Sequence, residues 1–195
     1  MKLVIRDAEE RDLEAIKRLT DEYIAADYYS LEDLRVCLPG NPEGRNLFYV
    51  VTDADAGDRV VSYFYAFLAE LDRALPLMHV QKRPEALKDL SGDTLVGVYK
   101  LSSTEAAYQH HGLCSSFVRN LEPVLLARGA KMIVATALRP LGQDAPMRHI
   151  FESHGFRDIA LIPRPWVEMT LYCPYCKRNH CICDAVFFAK NLGEC

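Results

Sequence analysis

Extended and helical patterns alternate along this chain in one order, and that order limits its fold more than any other feature. Lys2–Arg6 alternates and is β-branched, which reads as a strand. From about Glu9 to Tyr29, the apolar residues Leu13, Ile16, Leu19, Tyr23 and Ile24 recur at helical spacing. A short helix is predicted over Leu31–Cys37, capped by Ser30 and stopped by Pro39-Gly40-Asn41-Pro42. Leu47–Thr52 and Arg59–Glu70 read as an antiparallel hairpin around the turn Asp53–Asp58. Residues 71–93 are polar and contain Pro76 and Pro84, so a loop with about one helical turn is expected there, covering a functional site.

Thr94–Ser103 is the next predicted strand. A helix follows from about Leu113, with Phe117, Leu121 and Leu125 on one face. Pro123 lies inside it. A proline in a helix interior costs about 3 kcal/mol or more, so a kink or a break is expected. Lys131–Ala137 is a strand. Asp144 is expected to cap a helix through His154, with Gly155 as its left-handed C′ residue. Phe156–Ile162 is a strand ended by Pro163-Arg164-Pro165, and Ala185–Lys190 is the last. The order β-α-α-β-β-β-α-β-α-β-β is that of one α/β domain, expected over residues 1–195, and a chain of this length buries a sizeable core.

The formal net charge of −4 argues against a dedicated nucleic-acid binder and is weakly compatible with an amine substrate. No apolar run reaches the ~18–20 residues that span a bilayer, and the segment Lys2–Asp7 turns charged too soon for a secretory signal. A cytoplasmic protein with neither nucleic acid nor membrane as partner is expected. Four of the seven cysteines crowd into residues 173–183. In a reducing compartment this points to metal or redox chemistry before structural disulfides.

The segment Leu101–Arg119 reads as strand, turn and helix, with Gly112-Leu113 at the helix start. A helix amino terminus offers unpaired N–H groups and a partial positive charge, and phosphate binds there without needing a side chain. Gly112 lets backbone approach a ligand closely, and Cys114, Ser115 and Ser116 leave room. A diphosphate cradle and an ordinary connection are both open on this spacing alone.

Gln109-x-x-Gly112-x-Cys114 resembles the Gln/Arg-x-x-Gly-x-Gly/Ala motif of the GCN5-related N-acetyltransferase (GNAT) superfamily. Leu95–Ser103 resembles that family's splayed fourth strand, and Lys131–Ala137 its fifth. Phe151-Glu152-Ser153-His154-Gly155-Phe156 resembles its recurrent helix end, and Asp184–Leu192 its closing strand. The likeness covers nearly the whole chain. It implies an α/β (α+β) fold with a mixed, mostly antiparallel central sheet of about seven strands flanked by helices. Residues 172–184 would be a Cys-rich loop inserted between the last two strands.

The resemblance also implies acetyl-CoA as cosubstrate. Its pantetheine would contact Ser102 and Thr104, and its pyrophosphate the turn of Gln109, His110, His111, Gly112, Leu113, Cys114 and Ser115. The implied activity is N-acetylation of a primary amine on a small molecule or amino acid. The alternatives are a protein N-acetyltransferase and a non-catalytic acyl-CoA sensor. Family members are often homodimers.

Many family members place an acidic tyrosine where this chain has Phe151, which has no proton to give. Tyr108, Tyr172 and Tyr99 are the candidate replacements, although each also reads as a packed aromatic. Glu70, with Asp72 beside it, could bind the amine or relay its proton, or simply end a strand in solvent.

In Cys173-Pro174-Tyr175-Cys176-Lys177-Arg178-Asn179-His180-Cys181-Ile182-Cys183, a C-x-x-C precedes a C-x-C. Cys173, Cys176, Cys181 and Cys183 are candidate ligands of one structural zinc, and His180 could replace Cys181. Packed free thiols and a redox pair are the other readings.

Overall fold

The structure, a computed structural model, describes residues 2–40 and 44–193. Asn41 and Pro42 of the predicted stop lie outside the described residues. Seven strands form one sheet: β1 (Leu3–Asp7), β2 (Asn46–Asp53), β3 (Arg59–Glu70), β4 (Leu95–Thr104), β5 (Met132–Arg139), β6 (Arg157–Ile162) and β9 (Asp184–Asn191). Their order is β1-β2-β3-β4-β5-β9-β6. Every neighbouring pair is antiparallel except β4–β5, which is parallel.

Two cores fill the two faces of this sheet, as strand alternation requires. On one face lie α1 (Leu13–Tyr23), α2 (Leu31–Val36) and α3 (Leu71–Leu77), burying Ile16, Leu19, Leu34, Leu71 and Leu75 against Tyr63, Val96, Val98 and Phe187. On the other lie α4 (Leu113–Ala127) and α5 (Arg148–Ser153), burying Phe117, Leu121, Leu125 and Phe151 against Phe64, Tyr99, Ile133 and Phe188. No helix among the described residues is long and apolar enough to cross a membrane.

The element order matches the sequence reading, and several boundaries do not. Ser30 caps α2 in a capping box with Asp33. The first long helix stops at Tyr23 rather than Tyr29, because Asp27 takes a left-handed φ of 58° and Ala26 is drawn into a bridge with Tyr172. Residues 71–93 hold a true helix, α3, since Leu71, Ala74 and Leu75 are buried and packing outweighs Pro76. Pro123 does not break α4. It sits on the exposed face of a continuous helix. The last helix starts at Arg148, because Asp144 instead accepts from the Ala145 amide and the Arg148 guanidinium. The Cys-rich segment is not a plain loop: β7 (Thr170–Cys173) and β8 (Arg178–His180) form a separate hairpin.

Candidate active site

β4 and β5 pair only from Val96–Tyr99 to Met132–Ala135. Beyond that point β4 continues to Thr104 and β5 to Arg139, and the strands diverge around a cleft of about 760 Å³. The divergence begins at a β-bulge. Ala66 faces Tyr99 and Tyr65 faces Leu101, so Lys100 is an extra residue with no partner on β3. A bulge bends its strand and raises the local twist. It also places Tyr99 and Ser102 on one face, where the Tyr99 hydroxyl donates to Ser102 Oγ at 2.7 Å.

One end of the cleft is the start of α4. Gly112 has φ +76°, and a Cβ there would meet nothing within 4 Å. The first helical bond runs from the Ser116 amide to the Gly112 carbonyl, at 2.9 Å. The amides of residues 113–115 precede it and have no intrahelical acceptor. The Gln109 side chain donates to the Thr104 carbonyl at 2.9 Å, pinning the turn to β4. Cys114 faces inward, its sulfur 3.3 Å from the Tyr99 hydroxyl and 3.8 Å from Met147 Sδ, so it does not crowd the turn. Ser102, Thr104, Gln109, His110, Gly112, Leu113, Cys114 and Ser115 all line the cleft. His111 is exposed and stands off the lining.

The other end is aromatic and basic. His79 Nε2 lies 3.5 Å from the Tyr28 hydroxyl, and the His79 ring is edge-on to Trp166 at 6.2 Å. Burial, aided by the Lys100 charge, pushes His79 down to about 4, so the imidazole is neutral at pH 7. Lys100 stands over the Tyr28 ring and donates to the Leu77 carbonyl, and burial brings it down to about 8. A second cavity of about 510 Å³ shares Tyr28, His79 and Lys100 with the cleft and adds Arg45 and Arg73. The linings of both cavities contain no Asp or Glu.

The three predicted catalytic residues fall in different places. Glu70 faces Leu95 at the paired end of β4, opposite the splay, and is ion-paired to Arg45 at 3.0 Å. Tyr172 is 48% exposed, on the outward face of β7 between the inward Leu171 and Cys173. Neither lines the cleft. Tyr108 does, but its hydroxyl is committed to the Asp53 carboxylate at 2.8 Å. Tyr99 is the tyrosine next to Phe151. The two rings meet edge to face at 5.4 Å, and burial with the Cys114 sulfur nearby keeps the Tyr99 hydroxyl protonated. His79 and Lys100 were not singled out from sequence. Only the expectation that residues 71–93 cover the site pointed towards His79.

Cys173, Cys176, Cys181 and Cys183 do converge, with their sulfurs all within 4.8 Å of one another. Cys173 and Cys181 also line the cleft, as does Trp166.

No protein-family model matches the chain, and no curated protein matches it. Solved structures do. NAA60 of Arabidopsis thaliana in complex with acetyl-CoA superposes with a TM-score of 0.73 at 10% identity, over 99% of this chain and 100% of that one. The ribosomal-protein-S18-alanine N-acetyltransferase of Escherichia coli gives 0.64 at 15% identity, over 100% and 96%. An acetyltransferase of the GNAT family from Streptococcus pneumoniae gives 0.63 at 14% identity, over 98% and 100%. This chain has the GNAT fold. Within this GNAT fold, the motif read as Gln109–Cys114 stands at the mouth of the splay between β4 and β5.

Proposed function

We propose that this chain is an acetyl-CoA-dependent N-acetyltransferase that acts on the amine of a small molecule or amino acid. The observation that carries the proposal is the cleft between β4 and β5, which ends on the open amides beyond Gly112. The likeness to NAA60 bound to acetyl-CoA supports the same donor here. Pyrophosphate lies on the turn Gln109–Ser115, and pantetheine follows the free edge of β4 past Ser102 and Thr104.

The acceptor amine enters from the end formed by Tyr28, His79 and Lys100. Neutral His79 takes its proton as the nitrogen attacks the thioester carbonyl. The carbon–sulfur bond breaks, and the Tyr99 hydroxyl protonates the departing thiolate in place of the missing Phe151 hydroxyl. A proton donor beside Phe151 favours catalysis over a sensor role. A linings set that holds cations and no carboxylate favours an acceptor with an apolar or anionic substituent. A protein amino terminus is the second reading, favoured by the likeness to the ribosomal-protein-S18-alanine enzyme. The four cysteines hold a structural zinc, through which no step of the transfer passes.

Thermal unfolding with and without acetyl-CoA tests the donor. A ligand at 100 times its Kd stabilises the native state by about 2.7 kcal/mol. A melting temperature unmoved by millimolar acetyl-CoA would overturn the proposal.

A further inference from the structure

We infer that zinc on Cys173, Cys176, Cys181 and Cys183 holds the β7–β8 hairpin in place as one wall of the acceptor pocket, so that metal loading controls the acceptor end and leaves the acetyl-CoA end untouched. The naming of those ends rests on the transferase reading above.

The local fold supplies four convergent sulfurs by two different means. Cys173 and Cys176 meet across the tight turn of the hairpin, where Lys177 takes a left-handed φ of 54° and its amide bonds the Cys173 carbonyl at 2.8 Å. Cys181 and Cys183 lie in the irregular chain between β8 and β9, and both sulfurs reach the same cluster. The C-x-C spacing therefore places both of its sulfurs in one site with those of the C-x-x-C. A tetrahedral Zn–S distance of ~2.3 Å puts sulfurs roughly 3.8 Å apart, within the 4.8 Å that contains them all. The Ile182 amide donates to the Cys176 sulfur and the Cys183 amide to the Cys181 sulfur, contacts that orient thiolate ligands. Lys177 and Arg178 follow directly and offset the negative charge of a four-thiolate site.

Apart from the Ala26–Tyr172 bridge, the contact of His180 with the Val167 carbonyl and buried Leu171, the hairpin rests on a small core. Its own core consists of buried Cys173, Cys181 and Cys183, with Leu138, Trp166 and Cys176 packed around them. A two-stranded hairpin is marginal in water by itself, and three buried thiols are a small apolar core. A metal cross-link supplies the missing constraint.

What the hairpin holds is the acceptor end. Trp166 packs on the sulfur cluster and meets the His79 ring. Tyr172 bridges to Ala26, two residues before Tyr28. Cys173 and Cys181 face the cleft themselves. The turn Gln109–Ser115 has no part in this assembly, since it is fixed to β4 through Gln109 and to α5 through the 2.7 Å contact of Ser115 with His154.

The test uses the full chain and its sole tryptophan, Trp166. Metal analysis of protein purified without chelator should find about one zinc per chain. Chelation followed by cobalt(II) should give the intense spectrum of a tetrahedral thiolate site. Metal removal should red-shift Trp166 emission and open it to acrylamide, while acetyl-CoA affinity by calorimetry stays unchanged. C176H should keep the metal, and C176S/C183S should lose it. Disulfides in freshly reduced protein, a cobalt spectrum without thiolate bands, or Trp166 emission indifferent to metal would each overturn the inference. Weakened acetyl-CoA binding in the metal-free protein would overturn the separation of the two ends. If acetyl-CoA binds neither form, the transferase reading fails, while the cobalt and Trp166 results still decide whether the metal builds this wall.

Discussion

Tyr99 and His79 carry the proposed chemistry, and each is defined by what presses on it. Tyr99 is held between Phe151, Phe117 and the Cys114 sulfur, and it lines the cleft. Tyr99→Phe keeps the ring packing and removes the proton. It should lower kcat by about 10²–10⁴-fold, the usual worth of a general acid, with acetyl-CoA affinity unchanged. Equal kcat in the two proteins would return the role to solvent. For His79, the folded value of about 4 lies below the unfolded ~6.5. Between those values the unfolded chain binds more protons, so stability rises with pH through this window and is lost as pH falls from ~6.5 towards 4. His79→Asn should flatten that part of a melting-temperature profile. The wild-type kcat/KM should keep its His79-dependent acid limb near pH 4, and a limb near 6.5 that persists in the variant would remove His79 as the base. The turn Gln109–Ser115 and the start of α4 were legible in the sequence because a glycine at a helix start is a local signal. Tyr99 was one of three candidate tyrosines that the sequence did not rank, because the surroundings of Tyr99, Tyr108 and Tyr172 are set by contacts with distant segments. His79 was invisible because its partners, Tyr28, Lys100 and Trp166, come from three distant segments.

Strands were easier to read than helix ends. β3 runs over the predicted residues Arg59–Glu70, since a period of two with β-branched and aromatic residues is a strong local signal. The end of α1, the existence of α3 and the start of α5 depend on tertiary contacts: the Ala26–Tyr172 bridge, the burial of Leu71 and Leu75, and the salt links of Arg148. The packing of α4 on the sheet explains one glycine. A Cβ on Gly97 would lie 2.3 Å from Leu125 Cδ1, and Leu125 is fully buried. Gly97→Ala should therefore destabilise by about 1–3 kcal/mol, the common cost of overpacking. Denaturant midpoints would check this, and a neutral midpoint would mean that α4 rides more loosely on β4 than its packing indicates.

For the molecule as a whole, the mixed, mostly antiparallel seven-stranded sheet and the splay of its fourth strand followed from the order of elements and the family likeness. The electrostatics of the acceptor end did not. A net charge of −4 was weakly compatible with a cationic substrate, yet the cavity linings carry Lys100, Arg45 and Arg73 and no carboxylate. Bulk charge records the surface average, and the nearby acid Glu70 lies outside the linings, ion-paired to Arg45. A thiol-release assay over an amine panel should accordingly favour amino acids and apolar amines over polyamines such as spermidine. A preference for spermidine would contradict the cationic lining. The bulge at Lys100 has a further consequence for how this chain tolerates change. It acts as a phase shift in the strand: before it, odd-numbered residues such as Gly97 and Tyr99 face α4, and after it the even-numbered Ser102 and Thr104 do. Deleting that single residue would remove the bulge and leave a regular ladder, in which Leu101 still faces Tyr65 while Ser102 and Thr104 keep the α4 face, so both halves of β4 stay in step. The strand can thus lose its extra residue without changing which side chains face α4, and such a deletion would remove only the local bend and the Lys100 amine.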